Sequence, residues 1–361
     1  MSASRSRHIH DGRTILGERH RLHHGRSELI DGELKPCFEM PKRVDIVRAR
    51  LAEAGFDETI APDAFGVDAL RRVHSDAYLD FLHGAWGEWT ALGRTHDALP
   101  TIWPARGLRR DRAPHSIDGK LGFYAMDAGA PITAGTWDAV EESANLALTG
   151  AQRVHDGAQA AFALCRPPGH HAGRDVMGGY CYLNNAALAA AHWLAQGARR
   201  VAILDIDYHH GNGTQSIFYD RDDVLFASLH ADPLLDYPYL LGHADETGRG
   251  AGEGFNLNYP LPWGTDWSRY AQALDHAGAR IAGFGPDALV VSLGVDTFEG
   301  DPISRFKLKS ADFSRIGARI AGLGLPTLFV MEGGYAVEEI GVNVVNVLAG
   351  FEEHALSRAA R

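Results

Sequence analysis

Short apolar runs alternate with helical segments from residue 160 onward, and this alternation constrains the fold more than any other sequence feature. The apolar runs are predicted to be buried strands: Ala160–Leu164, Val201–Leu204, Val224–Leu229, Ala288–Leu293 and Thr327–Met331. The segments with helical periodicity are Asn184–Gln196, Asp266–Ile281, Ser310–Ala321 and Val337–Phe351. Strands that alternate with helices form a parallel sheet that is covered on both faces. The sequence therefore predicts an α/β fold.

The part of the chain before residue 160 is less regular. Three helical patterns occur there: Pro41–Ala54, Asp68–Leu82 and Thr136–His155. Residues 86–131 contain prolines among scattered basic residues and are predicted to form an irregular loop, which at this length is usually functional. No repeat or linker divides the chain. We therefore predict a flexible N-terminal segment at residues 1–20 and a single domain at residues 21–361.

Composition excludes several classes of function. The formal net charge is −11, which argues against nucleic acid as a partner and is compatible with a cationic substrate. No apolar run approaches the ~20 residues of a membrane span, and no secretory signal begins the chain. The three cysteines are too few and too scattered for a disulfide framework or a cysteine-based zinc site. A cytoplasmic protein without a membrane partner is expected.

The strand Val201–Leu204 leads directly into a cluster of polar side chains. Asp205, Asp207 and His209 occupy alternate positions, so in extended backbone they share one face. Two carboxylates held together repel each other unless a cation or a proton lies between them. The imidazole favours a transition metal such as Zn²⁺ or Fe²⁺ over Mg²⁺ or Ca²⁺. A solvated strand end is the alternative for the two acids alone, but the whole cluster favours a metal site.

Three other predicted strands also end in polar residues. The residues that follow them include the His170–His171 pair, Asp296, and Tyr335 after two glycines. In parallel α/β sheets, ligands bind beyond the carboxyl ends of the strands, so these groups are expected at one edge.

Together these groups supply the parts of a metal-assisted amide hydrolase. Asp207, His209 and Asp296 provide three ligands and leave one position open for water, as a catalytic zinc site requires. The paired histidines can serve as general base and acid. Tyr335 can donate a hydrogen bond to the oxyanion.

The motifs identify a resemblance to the histone deacetylase superfamily, and within it most closely to the bacterial acetylpolyamine amidohydrolases. The chain contains RPPGHHA, GGYCYLNN, ILDIDYHHGNGTQ, SLGVDTFEGDP and MEGGY. The resemblance covers about residues 21–351. It implies the arginase/deacetylase fold, with a parallel sheet of about eight strands, and it implies the same zinc ligands, histidine pair and tyrosine.

The resemblance implies further roles around this core. Asp205, with Ser228 and Leu229, resembles a structural site for a monovalent cation, usually K⁺. Asp205 also resembles the partner that orients His170, and Asn212 the partner of His171. Because asparagine cannot stabilise an imidazolium as a carboxylate does, we expect His171 to lose its proton at lower pH and to act as the base.

The substrate-binding residues are implied in the same way. Tyr180 and Tyr237 resemble the aromatic walls of a narrow tunnel for an alkyl chain, and Asp118 resembles an acidic specificity residue. A second such acid is replaced by Gly129, with Asp127 nearby. One acid rather than two favours a short acetylated diamine, such as acetylputrescine or acetylcadaverine, over a longer polyamine. Residues 86–131 resemble an insertion that narrows the entrance and forms a homodimer.

Other functions remain as alternatives. A lysine deacetylase acting on proteins, or a more general amidohydrolase, would use the same site with a more open entrance. An arginase-like enzyme with two Mn²⁺ ions would need a second aspartate in the motifs around Asp207 and Asp296. A catalytically inactive sensor of acylated amines would have no use for Tyr335 and a paired base together.

Overall fold

The computed structural model describes residues 14–30 and 32–359. Its strands are β1 (Thr14–Ile15), β2 (Glu28–Ile30), β3 (Glu33–Lys35), β4 (Thr59–Ile60), β5 (Ala160–Ala163), β6 (Val201–Asp205), β7 (Val224–Ala231), β8 (Asn256–Leu261), β9 (Ala288–Leu293) and β10 (Thr327–Met331). Its α-helices are α1 (Lys42–Glu53), α2 (Val67–Leu70), α3 (Asp76–Ala91), α4 (Ile117–Phe123), α5 (Thr136–His155), α6 (Asn185–Ala195), α7 (Asn212–Phe218), α8 (Trp267–Phe284), α9 (Ser310–Gly322) and α10 (Ile340–Ala359).

Eight strands form one parallel sheet in the order β4-β1-β5-β10-β9-β6-β7-β8, while β2 and β3 form a separate antiparallel hairpin. Every residue of β5, β6, β7, β9 and β10 is buried, so both faces of the central sheet are covered. Side chains of a strand alternate between the two faces, which explains why these strands are apolar throughout. The predicted parallel sheet of about eight strands is confirmed.

The helices pack in two groups. Helix α5 packs on α6, whereas α10 packs on both α1 and α9. Two separate helical layers are what a sheet buried on both faces requires. None of the helices in residues 14–30 and 32–359 is long and apolar enough to cross a membrane.

Sequence patterns missed three strands of this sheet. Strands β1 and β4 contain two residues each, which is too short for a periodic signal. Strand β8 has the sequence NLNYPL. Because asparagine and proline are depleted in strands, this sequence does not predict one. All three lie at or near the sheet edges, where burial dictates the sequence least.

Two predicted segment boundaries need correction. Residues 1–13 of the predicted flexible segment lie outside the described residues, but for residues 14–20 the prediction was wrong, since β1 pairs with β4 and β5. Residues 86–131 are not irregular throughout, because α3 continues to residue 91 and α4 occupies 117–123. The role of this segment as an entrance and dimer insertion stays a prediction.

Candidate active site

The candidate site lies at the carboxyl ends of four neighbouring strands. Strands β5, β10, β9 and β6 are adjacent in the sheet and parallel, so the loops that follow them meet at one edge. These loops carry the polar residues that the sequence placed after each strand.

Asp207, His209 and Asp296 form a buried trio, and their ligand atoms lie within 4.8 Å of one another. The Nδ1 atom of His209 is 3.4 Å from Oδ1 of Asp207 and 3.2 Å from Oδ2 of Asp296. Backbone amides orient the carboxylates: Gly333 donates to Asp207, and Tyr208 donates to Asp296. A Cβ at Gly333 would lie 2.5 Å from oxygens of both aspartates, so this position requires glycine.

The trio fits a divalent metal ion. Oδ2 of Asp296 is buried and makes no hydrogen bond with any described residue. Burial, and then the neighbouring Asp207 carboxylate, raise the pKa of Asp296 to about 7. A cation between the two acids would remove this repulsion. One nitrogen and two carboxylate donors suit Zn²⁺ or Fe²⁺.

The two histidines of the pair have different partners. Nδ1 of His170 is 3.0 Å from Oδ2 of Asp205, and Nδ1 of His171 is 2.6 Å from Oδ1 of Asn212. Both contacts are those the resemblance implied. Because each Nδ1 faces an acceptor, each ring holds its proton there when neutral and leaves Nε2 free to accept one.

The two environments separate the pKa values of the pair. Burial alone would lower the pKa of His170, but Asp207 and Asp205 outweigh it and place the pKa well above its ordinary value. Burial, followed by the charges of His170 and His209, lowers the pKa of His171 well below its ordinary value. The expected direction for His171 is therefore found, although burial contributes more than the absence of a carboxylate partner.

Tyr335 is held from two sides. Oδ2 of Asp301 accepts hydrogen bonds from the backbone amides of Tyr335 and Ala336. On the other side, the guanidinium of Arg43 lies 4.8 Å from the centroid of the Tyr335 ring and donates to the carbonyl of Gly334. The φ of Gly334 is 132°, a conformation that favours glycine. These contacts fix the ring, and no described residue hydrogen-bonds to its hydroxyl.

Sequence reasoning missed the residues behind this tyrosine. Arg43 is buried on α1 and also donates to Glu39, which receives a second hydrogen bond from the buried Arg166. Arg43 looks like an ordinary polar residue of an amphipathic helix, so no local pattern reveals its burial. Asp301 belongs to a quoted motif, but its role depends on a loop that is distant in sequence.

Tyr180 and Tyr237 border the site. The Tyr180 ring centroid is 5.5 Å from that of Tyr335, and the Tyr237 centroid is 5.1 Å from that of His171 and 5.9 Å from that of His209. Both tyrosines are half-buried, whereas the residues they contact here are buried. The two tyrosines are therefore the more exposed members of these contacts, and their role as walls of a substrate tunnel stays a prediction.

Each of these tyrosines donates its hydroxyl to a carboxylate that sequence reasoning did not assign to the site. Tyr180 donates to Glu28, and Tyr237 donates to Asp127 over 2.6 Å. Asp127 had been noted only as a neighbour of Gly129, and Glu28 lies in a segment without periodicity. Tyr180 has a φ of 67°, which is unusual for a residue other than glycine.

Asp118 differs from the other predicted substrate-binding residues. It lies on α4 with a half-exposed side chain, and Arg94 donates to both of its oxygens, at 2.5 and 3.1 Å. This ion pair offsets the charge of the Asp118 carboxylate, and the role of Asp118 in substrate binding stays a prediction. No contact joins Asp118 to the site residues described above.

The residues predicted to hold a monovalent cation are neighbours in the sheet. Asp205 on β6 is paired with Ser228 on β7, and Leu229 follows; all three are buried. The Ser228 hydroxyl lies 2.8 Å from Nδ1 of His230. Binding of K⁺ there stays a prediction.

Comparisons with known proteins agree with this arrangement. Residues 37–351 match the model of the histone deacetylase domain. The chain is 62% identical over 340 residues to acetylpolyamine amidohydrolase 1 of Pseudomonas aeruginosa, covering 94% of this chain and 98% of that protein. It is 52% identical over 338 residues to acetylpolyamine amidohydrolase of Mycoplana ramosa, covering 94% of this chain and 99% of that one. The crystal structure of acetylpolyamine aminohydrolase from Burkholderia pseudomallei superposes with a TM-score of 0.90 at 40% identity, covering 95% and 99% of the respective chains.

Proposed function

This chain belongs to the histone deacetylase family, and from that premise we propose that it hydrolyses the acetamide of N-acetylated small diamines and polyamines. The products are acetate and the free amine. The observation that carries the proposal is the buried set of Asp207, His209, Asp296, the histidine pair and Tyr335, in a chain similar over most of its length to acetylpolyamine amidohydrolases.

We propose that Asp207, His209 and Asp296 hold one Zn²⁺ ion per chain, with Fe²⁺ as the alternative. When bound, such an ion would polarise the acetamide carbonyl and would make a water molecule more acidic. The trio provides three donors, and backbone amides already hold the two carboxylates in place.

The remaining residues move protons and stabilise charge. Neutral His171 takes the proton from the attacking water, since its lowered pKa keeps it unprotonated near pH 7. Because the pKa of His171 is low, the resulting imidazolium is a strong acid, and it returns the proton to the leaving nitrogen. His170, whose Nδ1 faces the Asp205 carboxylate, stabilises the negative charge that develops beside it. The Tyr335 hydroxyl donates to the oxyanion.

The metal assignment predicts about one equivalent of divalent metal per chain. His209→Ala should lose most of this metal, because the nitrogen donor that favours a transition metal is removed. Elemental analysis of freshly purified protein measures the content, and Tyr259→Phe is a control, since its hydroxyl contacts His276 and not the trio. An active wild-type preparation without metal would rule the assignment out.

A substrate panel tests the reaction. We expect higher kcat/KM for acetylputrescine and acetylcadaverine than for acetylspermidine, and the lowest value for an acetyl-lysine peptide. The acetylated amines are slender chains that can pass the half-buried Tyr180 and Tyr237. A peptide, in contrast, must also bring its backbone to the same opening. A clear preference for the peptide would instead support a protein lysine deacetylase. A homodimer, a structural K⁺ ion and a cytoplasmic location remain part of the proposal.

A further inference from the structure

Two carboxylates next to the opening of the site are held by neutral donors alone. Glu28 is buried and accepts hydrogen bonds from the Tyr180 hydroxyl and, over 2.6 Å, from the Phe38 amide. Asp127 accepts from the Tyr237 hydroxyl and from the amides of Gly129 and Gly179, at 2.8 and 3.1 Å. Neither acid takes part in any ion pair of the described residues.

Such carboxylates have negative charge that no protein cation balances. Burial raises the pKa of both acids, which reflects the cost of holding this charge away from water. A cationic ligand close to them would be stabilised, and its charge would offset that cost. The acids therefore favour a positive charge near the opening.

The hydrogen bonds of Tyr180 and Tyr237 link the two acids to the aromatic rings that we expect the substrate to contact. A phenol that donates a hydrogen bond to a carboxylate has a more electron-rich ring, and the face of a tyrosine ring attracts cations. The Tyr180 ring lies against Tyr335, and the Tyr237 ring lies against His171. An ammonium near these rings is therefore only a short methylene chain away from the reacting amide.

We propose that Glu28 and Asp127 are the specificity-determining residues that select a positively charged acetamide, acting through the hydroxyls of Tyr180 and Tyr237. This inference rests on the proposed hydrolysis of acetylated amines and names the residues that recognise the amine. The carboxylate at Asp118, neutralised by Arg94, does not supply this selection.

The test compares acetylputrescine with N-butylacetamide, which has the same chain without the amine. The ratio of their kcat/KM values measures selection for charge. In the metal-loaded enzyme we expect the ratio to fall about 3- to 30-fold in Glu28→Gln, Asp127→Asn, Tyr180→Phe and Tyr237→Phe, the range of a cation–π contact. The kcat/KM value for N-butylacetamide should change less than the value for acetylputrescine. The activity that remains with N-butylacetamide also shows that each variant is folded. Tyr259→Phe, whose hydroxyl contacts His276, should keep the wild-type ratio.

A second measurement does not depend on turnover. Calorimetric titration of the holoenzyme with free putrescine should show weaker binding in the same four variants and unchanged binding in Tyr259→Phe. Wild-type ratios and affinities in all four variants would overturn the inference. Loss of the ratio in Asp118→Asn alone would also overturn it, because charge would then be recognised on α4. If the wild-type enzyme cleaves neither acetamide, the proposed function is wrong. The calorimetric titrations with putrescine still test whether these residues recognise the amine.

Discussion

Replacement of Tyr335 by phenylalanine is expected to lower kcat about 10²–10³-fold, the usual cost of losing one oxyanion donor. The effect should appear in kcat because the hydroxyl stabilises charge that develops in the transition state. Burial raises the pKa of Tyr335 well above its ordinary value, so the phenol keeps its proton and remains a donor at neutral pH.

The structure indicates that this variant keeps its fold. The contacts that hold residue 335 involve its backbone amide and the face of its ring, which phenylalanine retains. Circular dichroism and metal analysis should therefore match wild type, while kinetics with acetylputrescine show the loss. Wild-type turnover would mean that Tyr335 is only a packed residue beside a Gly-Gly turn.

The centre of the fold was predictable because burial leaves a strong record in sequence. Strands β9 and β10 occupy the predicted residues, and the residues after β6, β9 and β10 meet as a parallel sheet requires. The cluster of Asp207, His209 and Asp296 could be located from sequence, since its members lie two to four residues after the ends of buried strands. The edge strands could not be located, because two-residue strands and a polar strand leave no pattern.

The supporting contacts of the site were less accessible to sequence reasoning. Arg43, Asp301 and Glu28 act on Tyr335 or Tyr180 from parts of the chain that are distant in sequence. Nothing in a local pattern distinguishes a buried acid or base from a solvated one. Asp118 was assigned by resemblance alone, which could not reveal its ion pair with Arg94, and its role in substrate binding stays a prediction.

His171→Ala is expected to remove nearly all turnover, toward the upper end of the range of about 10²–10⁴-fold for general acid–base catalysis. His171 takes the first proton and supplies the second, so both transfers are lost together. We expect that His170 does not replace it, because the Asp205 carboxylate, 3.0 Å from Nδ1 of His170, favours the protonated ring, which cannot accept a further proton. Binding of a metal-directed hydroxamate should remain largely intact, since Asp207, His209 and Asp296 are unchanged.

The variant Asn212→Asp tests whether His171 acts as the base or has only a structural role. Burial lowers the pKa of His171, so the acid limb of the kcat/KM profile should lie below the ordinary histidine range: protonation at low pH removes the base. Asn212→Asp places a carboxylate 2.6 Å from Nδ1 at the position of the present amide oxygen, which stabilises the imidazolium. The acid limb should then move to higher pH, whereas a purely structural histidine would leave the profile in place. Substantial activity in His171→Ala, with an unshifted limb in Asn212→Asp, would assign the base to His170 instead.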